Sequence, residues 1–96
     1  MLNFEFQQAI LKLLVSTYVD ERKVDLLSKE FAISADEFVF NLIYLKREKL
    51  IDLSSLSNRA QEDGAHYAVA RAVITHAGLK SYAELAKVKL IHAVTE

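Results

Sequence analysis

Cysteine, proline and tryptophan are absent from this chain of 96 residues, and glycine occurs only twice. Without cysteine, neither a disulfide framework nor a thiolate metal site can form, so the hydrophobic core must hold the fold by itself. Neither positive nor negative charge dominates, because the chain has 12 Lys and Arg residues and 13 Asp and Glu residues, which give a formal net charge of -1. With 52% hydrophobic residues, this balance excludes a disordered tail, which would be less apolar and more unevenly charged.

Long apolar runs are also missing. No uninterrupted stretch approaches the ~20 residues that a membrane-spanning helix requires. The first residues include Asn3, Glu5 and Gln7, where a signal peptide would be apolar. Because domains usually run to roughly 100 to 150 residues, we expect residues 1–96 to form a single domain, located in the cytoplasm and not associated with a membrane.

Proline and glycine, which interrupt helices and strands, are absent or rare in this chain. The helices and strands must therefore be located from the spacing of hydrophobic residues and from capping residues. Apolar residues recur at helical spacing over residues 4–18, and Asn3 can cap the first turn of this helix. The polar stretch 20–23 breaks the pattern. After it, the apolar residues in 26–31 predict a short second helix.

A third helix is predicted to begin at Ser34. Ser34 and Glu37 have the spacing of a reciprocal capping box, which satisfies two otherwise unpaired backbone N–H groups. The helix should run to about Lys49, with its core-facing line formed by Phe38, Leu42 and Leu45.

The next segments predict an antiparallel strand pair and a last helix. Residues 50–53 are typical of a strand, 54–66 of an exposed loop and 67–74 of the returning strand. The returning strand alternates, with small residues on one face, which allows another element to approach closely. Thr75 is a candidate cap for a helix over 75–94.

The last helix has apolar residues on two sides. One stripe is suited to the domain's own core, and a second stripe is formed by Leu85, Val88, Ile91 and Val94. A helix of this kind has more apolar surface than one small domain normally covers. We therefore expect it to form a homodimer interface.

The order of these elements resembles that of the winged helix-turn-helix superfamily, over residues 6–85. Residues 27–34 (LSKEFAIS) resemble its second helix and turn, and 74–82 (ITHAGLKSY) resemble the I-T-x-x-G entry to the helix after the wing. More narrowly, the chain resembles the small YjcQ-type winged-helix proteins of Gram-positive chromosomes and prophages, a resemblance that supplies no biochemical role. The turn position where the superfamily usually has glycine is Ala32.

The resemblance implies a mainly α-helical domain with a small β-hairpin, an α+β fold in the order helix 1, helix 2, helix 3, strand, wing, strand, helix 4. In a winged helix, the third helix enters the major groove and the wing reaches the backbone or minor groove of duplex DNA. Residues 1–37 hold four basic and seven acidic side chains, whereas 38–94 hold eight basic and five acidic. The candidate DNA contacts are Asn41, Tyr44, Lys46, Arg47, Lys49, Arg59 and Arg71.

Two observations favour other interpretations. The basic cluster from Lys46 to Lys49 also suits the negative C-terminal end of a helix dipole, without any DNA. The outer face of the third helix carries Phe40 and Ile43, whereas base edges are read by polar side chains. These two residues therefore indicate a dimer or partner interface, or a surface covered by the last helix.

Catalytic and metal-binding patterns are not evident. His66, His76 and His92 lack the i, i+4 spacing of helical metal ligands. Adjacent carboxylates such as Asp36 and Glu37 diverge on a helix and make a poor acid and base pair. We expect no enzyme, no metal and no cofactor.

The sequence thus predicts a small winged-helix protein that binds double-stranded DNA mainly through backbone contacts, as a transcriptional regulator or a phage or plasmid accessory factor. The alternative is a protein-protein interaction module on the same scaffold, which would use the apolar outer face of the third helix.

Overall fold

A computed structural model of the chain describes residues 2–20, 22–60 and 66–95, with side chains described for all of these except 20, 60 and 86–95. The described part is a small α+β domain with four helices and a three-stranded antiparallel sheet. The elements in chain order are α1 (Phe4–Leu14), α2 (Thr17–Asp20), β1 (Val24–Leu27), a 3₁₀ turn (Ser28–Phe31), α3 (Ala35–Arg47), β2 (Ile51–Ala60), β3 (His66–Ile74) and α4 (His76–Thr95).

Helix α1 begins where the sequence predicts. The Asn3 side chain accepts a hydrogen bond from the backbone N–H of Phe6 at 3.0 Å, and a buried stripe includes Ile10 and Leu14. The helix ends at Leu14 rather than at 18, and α2 follows as a separate turn. The Thr17 hydroxyl donates to the Leu14 carbonyl at 2.6 Å and accepts from the Ile74 N–H at 3.1 Å. This one side chain therefore joins the end of α1 to the sheet.

The predicted second helix over 26–31 is found only in part, as a 3₁₀ turn over Ser28–Phe31, and the residues before it are a strand. Residues 24–27 form β1, which pairs with β3 so that Leu26 lies opposite Ala70. The 3₁₀ turn that follows has only four residues, and the Ser28 hydroxyl accepts from the Ala68 N–H at 2.9 Å. The sequence could not predict this strand, because its partner β3 lies more than forty residues along the chain. Helical spacing over so few residues is also a weak signal.

Helix α3 confirms half of the predicted capping box: the Ser34 hydroxyl accepts from the Glu37 N–H at 3.1 Å, whereas the Glu37 carboxylate accepts from the Asn3 side-chain amide at 3.1 Å. Its line of Phe38, Leu42 and Leu45 is buried. The helix ends at Arg47, two residues before the predicted limit, because Lys49 takes a left-handed backbone conformation with φ 62°. The N–H groups of Lys49 and Leu50 bond to the carbonyls of Lys46 and Leu45, which is a Schellman termination.

The β part is larger than the predicted hairpin, because β1 adds a third strand in the order β1-β3-β2. Strand β2 continues to Ala60 through residues that the sequence assigned to a loop. Its register shifts between Leu53 and Ser55, so Ser54 is the extra residue of a β-bulge. The small face of β3 packs inward as predicted, and the alanines at 68, 70 and 72 are fully buried.

Helix α4 confirms the predicted last helix. The Thr75 hydroxyl caps it by accepting from the Gly78 N–H at 3.0 Å, and Leu79 and Tyr82 pack against the core. Among the described helices, none is both long and apolar enough to cross a membrane. Leu85 is 39% exposed, whereas the side chains of Val88, Ile91 and Val94 lie outside the described part.

Candidate nucleic-acid interface

The C-terminal end of α3 and strand β2 enclose a cleft that is lined by two cationic side chains. Ile43, Lys46 and Arg47 line it from the helix, and residues 53–56 line it from the strand. Its volume is about 420 Å³. Lys46 and Arg47 are exposed, and neither forms an ion pair with a side chain that the structure describes.

The strand side of this cleft, the α3–β2 cleft, has an apolar floor. Leu53 and Leu56 are half-buried and pack against the core. Ser54 and Ser55 are exposed at the bulge, where the Ser54 hydroxyl donates to the Arg71 carbonyl at 3.3 Å and Ser55 pairs with Arg71. Cationic side chains at a small cleft suit an anionic group such as a phosphate.

The N-terminal end of α3 has the opposite character. Ser34, Asp36, Glu37 and Phe40 line a shallow depression there, and the Phe40 side chain is 48% exposed. No described part of the chain covers this ring, so the expectation that the last helix would bury it is not met within the described residues. Ile43 and Tyr44 are half-buried. One helix therefore presents an acidic, apolar end and a basic end.

Asn41 has a structural role, and its assignment as a DNA contact is wrong. The side chain is fully buried. Its Oδ1 accepts from the Asn3 N–H and from the Gln7 amide, both at 2.8 Å, and its Nδ2 donates to the Glu37 carbonyl at 2.8 Å. The helical wheel contained a signal for this, because Asn41 lies beside the buried line of α3 and Gln7 beside that of α1.

Arg59 and Arg71 lie away from the α3–β2 cleft. The register pairs Arg59 with Tyr67, and Arg71 with Asp25 and Ser55. Since Ala68, Ala70 and Ala72 face the core, the alternating residues Tyr67 and Arg71 face outward, on the side of the sheet opposite α3. The predicted contact set is therefore divided between two sides of the domain, with Lys46 and Arg47 on one and Arg59 and Arg71 on the other.

Arg71 is already paired on that outer face. Its Nε donates to the Asp25 carboxylate at 2.8 Å, with both side chains more than half exposed. This hydrogen bond, with the attraction between the charges, lowers the pKa of Asp25 and raises the pKa of Arg71. A phosphate at Arg71 would compete with that carboxylate.

Sequence reasoning missed two contacts of aromatic side chains. The Lys29 ammonium lies 4.5 Å from the centre of the Tyr67 ring, a cation–π geometry. The Tyr18 hydroxyl and His76 Nδ1 are hydrogen-bonded at 3.0 Å, which ties α2 to the first residue of α4. Neither pair has a signal in the sequence, because its members lie 38 and 58 residues apart.

In the described part of the chain, no three His, Asp or Glu side chains lie close enough together to bind a metal ion.

Comparisons with protein families, with curated proteins and with solved structures found no match to this chain. The α3–β2 cleft, with its two cations, is the described feature with the most definite ligand chemistry.

Proposed function

We propose that this chain is a winged-helix protein that binds double-stranded DNA mainly through backbone phosphates, as a transcriptional regulator or a phage or plasmid accessory factor. The observation that carries the proposal is the α3–β2 cleft, where Lys46 and Arg47 lie beside the bulged part of β2. In winged-helix proteins the third helix and the hairpin are the DNA-contacting elements.

The element order also supports this interpretation. A three-stranded antiparallel sheet packs against α1 and α3, and its two longer strands follow α3 directly. The position where the superfamily usually has glycine, Ala32, takes a left-handed conformation with φ 56°. That is the backbone geometry for which glycine is normally selected.

Phosphate contacts make two properties of the complex predictable. Because they carry no sequence information, Lys46 and Arg47 should support similar affinities for unrelated duplexes. Neutralised phosphates also release counterions, so the logarithm of the binding constant should fall by about 0.9 per contact for each tenfold rise in salt. With Lys49 as a third exposed contact, a slope of about -3 per protomer is expected.

The test is fluorescence anisotropy with a labelled duplex of mixed sequence, titrated at low salt. Arg47→Ala should weaken binding roughly three- to fivefold on every sequence, as expected for one exposed charge contact. Lys80→Ala, which removes an exposed charge on α4, is the control and should leave binding unchanged. If the wild-type protein does not bind the duplex at low salt, the DNA-binding proposal is wrong.

A second function rests on a separate observation, the exposed ring of Phe40. Together with Ile43 and Tyr44 it forms an apolar outer face on α3, and aromatic anchors concentrate binding energy in protein interfaces. On this view the domain is a protein-protein interaction module. Phe40→Glu should then abolish self-association or partner capture, whereas Phe4→Glu, at a 62% exposed position on α1, should not. Unchanged behaviour of Phe40→Glu would exclude it.

We also propose that the protein is a homodimer through α4. Leu85 is the large exposed hydrophobic side chain of this helix within the described part. Val88, Ile91 and Val94 continue the apolar pattern along the helix in the sequence. A second copy is the partner with a matching surface, since a twofold interface brings the same patch of both chains together.

A further inference from the structure

We infer that the α3–β2 cleft is a subsite for one phosphodiester group of duplex DNA, and that the acidic start of α3 prevents the duplex from lying along the whole helix. The inference rests on the proposed DNA-binding function and specifies its geometry. It departs from groove reading by the full third helix, because only the C-terminal end of α3 and the bulged part of β2 would contact the DNA.

The lining of the cleft matches one phosphate and its neighbouring sugar. Lys46 and Arg47 supply positive charge that no described carboxylate neutralises, and Leu53 and Leu56 supply an apolar floor for the sugar. The volume of about 420 Å³ lies at the lower end of the roughly 300–1,000 Å³ typical of ligand sites. One phosphate with its adjoining sugar is therefore a suitable occupant.

The two serines have different roles. The Ser54 hydroxyl already donates to the Arg71 carbonyl, which holds the bulge against β3. Ser55 pairs with the outward-facing Arg71, so the register directs its side chain to the outer face of the sheet. The phosphate is therefore held by Lys46 and Arg47, and Ser54 is a positioning residue.

The acidic start of α3 limits how far the duplex can extend. Asp36 precedes Arg47 by eleven residues, which corresponds to about 16 Å along a helix. Charges are screened over about 8 Å at physiological salt, so the two ends of α3 act separately. Phosphates at Lys46 and Arg47 are little affected by Asp36 and Glu37, whereas phosphates at the start of the helix meet two like charges and the exposed Phe40 ring.

Anisotropy titrations on two unrelated duplexes test this geometry. Lys46→Ala should weaken binding roughly two- to fivefold, equally on both duplexes. Ser55→Ala and Ser57→Ala are the controls, because Ser55 and Ser57 pair with Arg71 and Val69 on the outer face of the sheet, and neither should have an effect. Asp36→Asn with Glu37→Gln should strengthen binding roughly two- to fivefold, whereas Glu84→Gln on α4 should not.

Backbone amide shifts give an independent readout. Addition of duplex should perturb the amides of 46–47 and 53–56 and leave those of 36–40 unchanged. Urea midpoints within error of wild type establish that each variant is folded.

Failure of this inference can be distinguished from failure of the proposed function. If the wild-type protein binds no duplex DNA, both are wrong. If it binds DNA and tolerates Lys46→Ala, but loses affinity with Arg59→Ala on the outer face, the DNA-binding proposal stands and the cleft is not the phosphate site. Perturbed amides at 36–40 would likewise overturn the inference alone.

Discussion

Ala32 and Lys49 adopt left-handed backbone conformations, with φ 56° and 62°. Ala32 reverses the chain between the 3₁₀ turn and α3, and Lys49 terminates α3. For residues with a Cβ, this conformation is less favourable by roughly 1–2 kcal/mol. Glycine avoids that penalty but loses more conformational entropy on folding, so the two effects partly offset each other.

The Ala32→Gly and Lys49→Gly variants should each be more stable than wild type, by about 0.5–1 kcal/mol. Urea denaturation at constant m-value measures the difference. Ala83→Gly, at an exposed position within α4, is the control and should instead lose about 1 kcal/mol through lower helix propensity. Destabilisation by both glycine variants would contradict this account of the two turns.

The Asp25–Arg71 ion pair makes the stability of the fold depend on pH. Because Arg71 lowers the pKa of Asp25 below its usual value of 3.8, the pair stabilises the fold at pH values above about 4. That contribution is lost as the pH falls through the lowered pKa. NMR titration of the Asp25 carboxyl carbon should show the depressed pKa, and Arg71→Gln should return it to the usual range.

Arg59→Gln serves as the control, because Arg59 lies on the same sheet face but pairs with Tyr67. It should leave the Asp25 titration unchanged. An Asp25 pKa that does not move in Arg71→Gln would show that the pair is not formed in solution.

At the scale of elements, the start of α4 is docked onto the turn between α3 and β2. The Thr75 N–H donates to the Leu50 carbonyl at 3.1 Å, and its hydroxyl lies 2.7 Å from the Lys49 carbonyl. Gly78 packs directly against the Leu50 carbonyl oxygen, where a Cβ would collide with this oxygen and lie 2.9 Å from Ile74 Cγ1. The close approach therefore requires glycine at this position of α4.

Gly78→Ala should destabilise the domain by about 2 kcal/mol or more, because overpacking against a backbone carbonyl forces α4 away from the turn. In an exposed helix position the same substitution would stabilise, since alanine has the higher helix propensity. Thermal and urea unfolding measure the effect, with Ala77→Ser at the exposed neighbouring position as the control. A stability equal to wild type would show that α4 does not dock as closely as described.

The α1–α3 contact is also an element-scale feature. The buried Asn41 amide bonds to Asn3 and Gln7 of the α1 start and to the Glu37 carbonyl. It satisfies polar groups that would otherwise be unpaired in the core. Asn41 therefore positions α3 relative to α1, and through α3 it positions Lys46 and Arg47 at the α3–β2 cleft.

At the scale of the whole molecule, cationic side chains lie on two sides of the domain. Lys46 and Arg47 are at the cleft, and Arg59 and Arg71 are on the outer sheet face. A homodimer through α4 would double the number of clefts and the salt dependence.

Light scattering after gel filtration should therefore give the mass of two chains for wild type. Leu85→Glu combined with Ile91→Glu should give one chain, because buried unpaired carboxylates are unfavourable in an apolar interface. Lys80→Glu, which introduces a carboxylate on the same helix at an exposed charged position, is the control and should remain dimeric. A wild-type mass of one chain at micromolar concentration would rule out the dimer.

The accuracy of sequence reasoning varied with the range of the interactions involved. The caps at Asn3, Ser34 and Thr75 depend on hydrogen bonds within three residues, and all three are confirmed. Strand β1 depends on pairing with β3, and its local pattern predicted a helix. The candidate site shows the same contrast. The cluster of Lys46 and Arg47 could be predicted because the two residues are adjacent in the chain, whereas the outward direction of Arg71 could not, because it depends on the register of the sheet.

The amino-acid sequence by itself determined the short-range features of this protein: three helix caps, the inward face of α3, the alternation of β3 and the extent of α4. Each arises from side chains and backbone groups a few residues apart, so one chain segment contains all the interacting atoms. Only the tertiary structure decided that 24–27 is a strand, that Asn41 is buried, and that the bulged part of β2 lies beside Lys46 and Arg47. Those outcomes depend on contacts between distant segments, which form only when the core excludes water and one register of the sheet buries the alanines of β3.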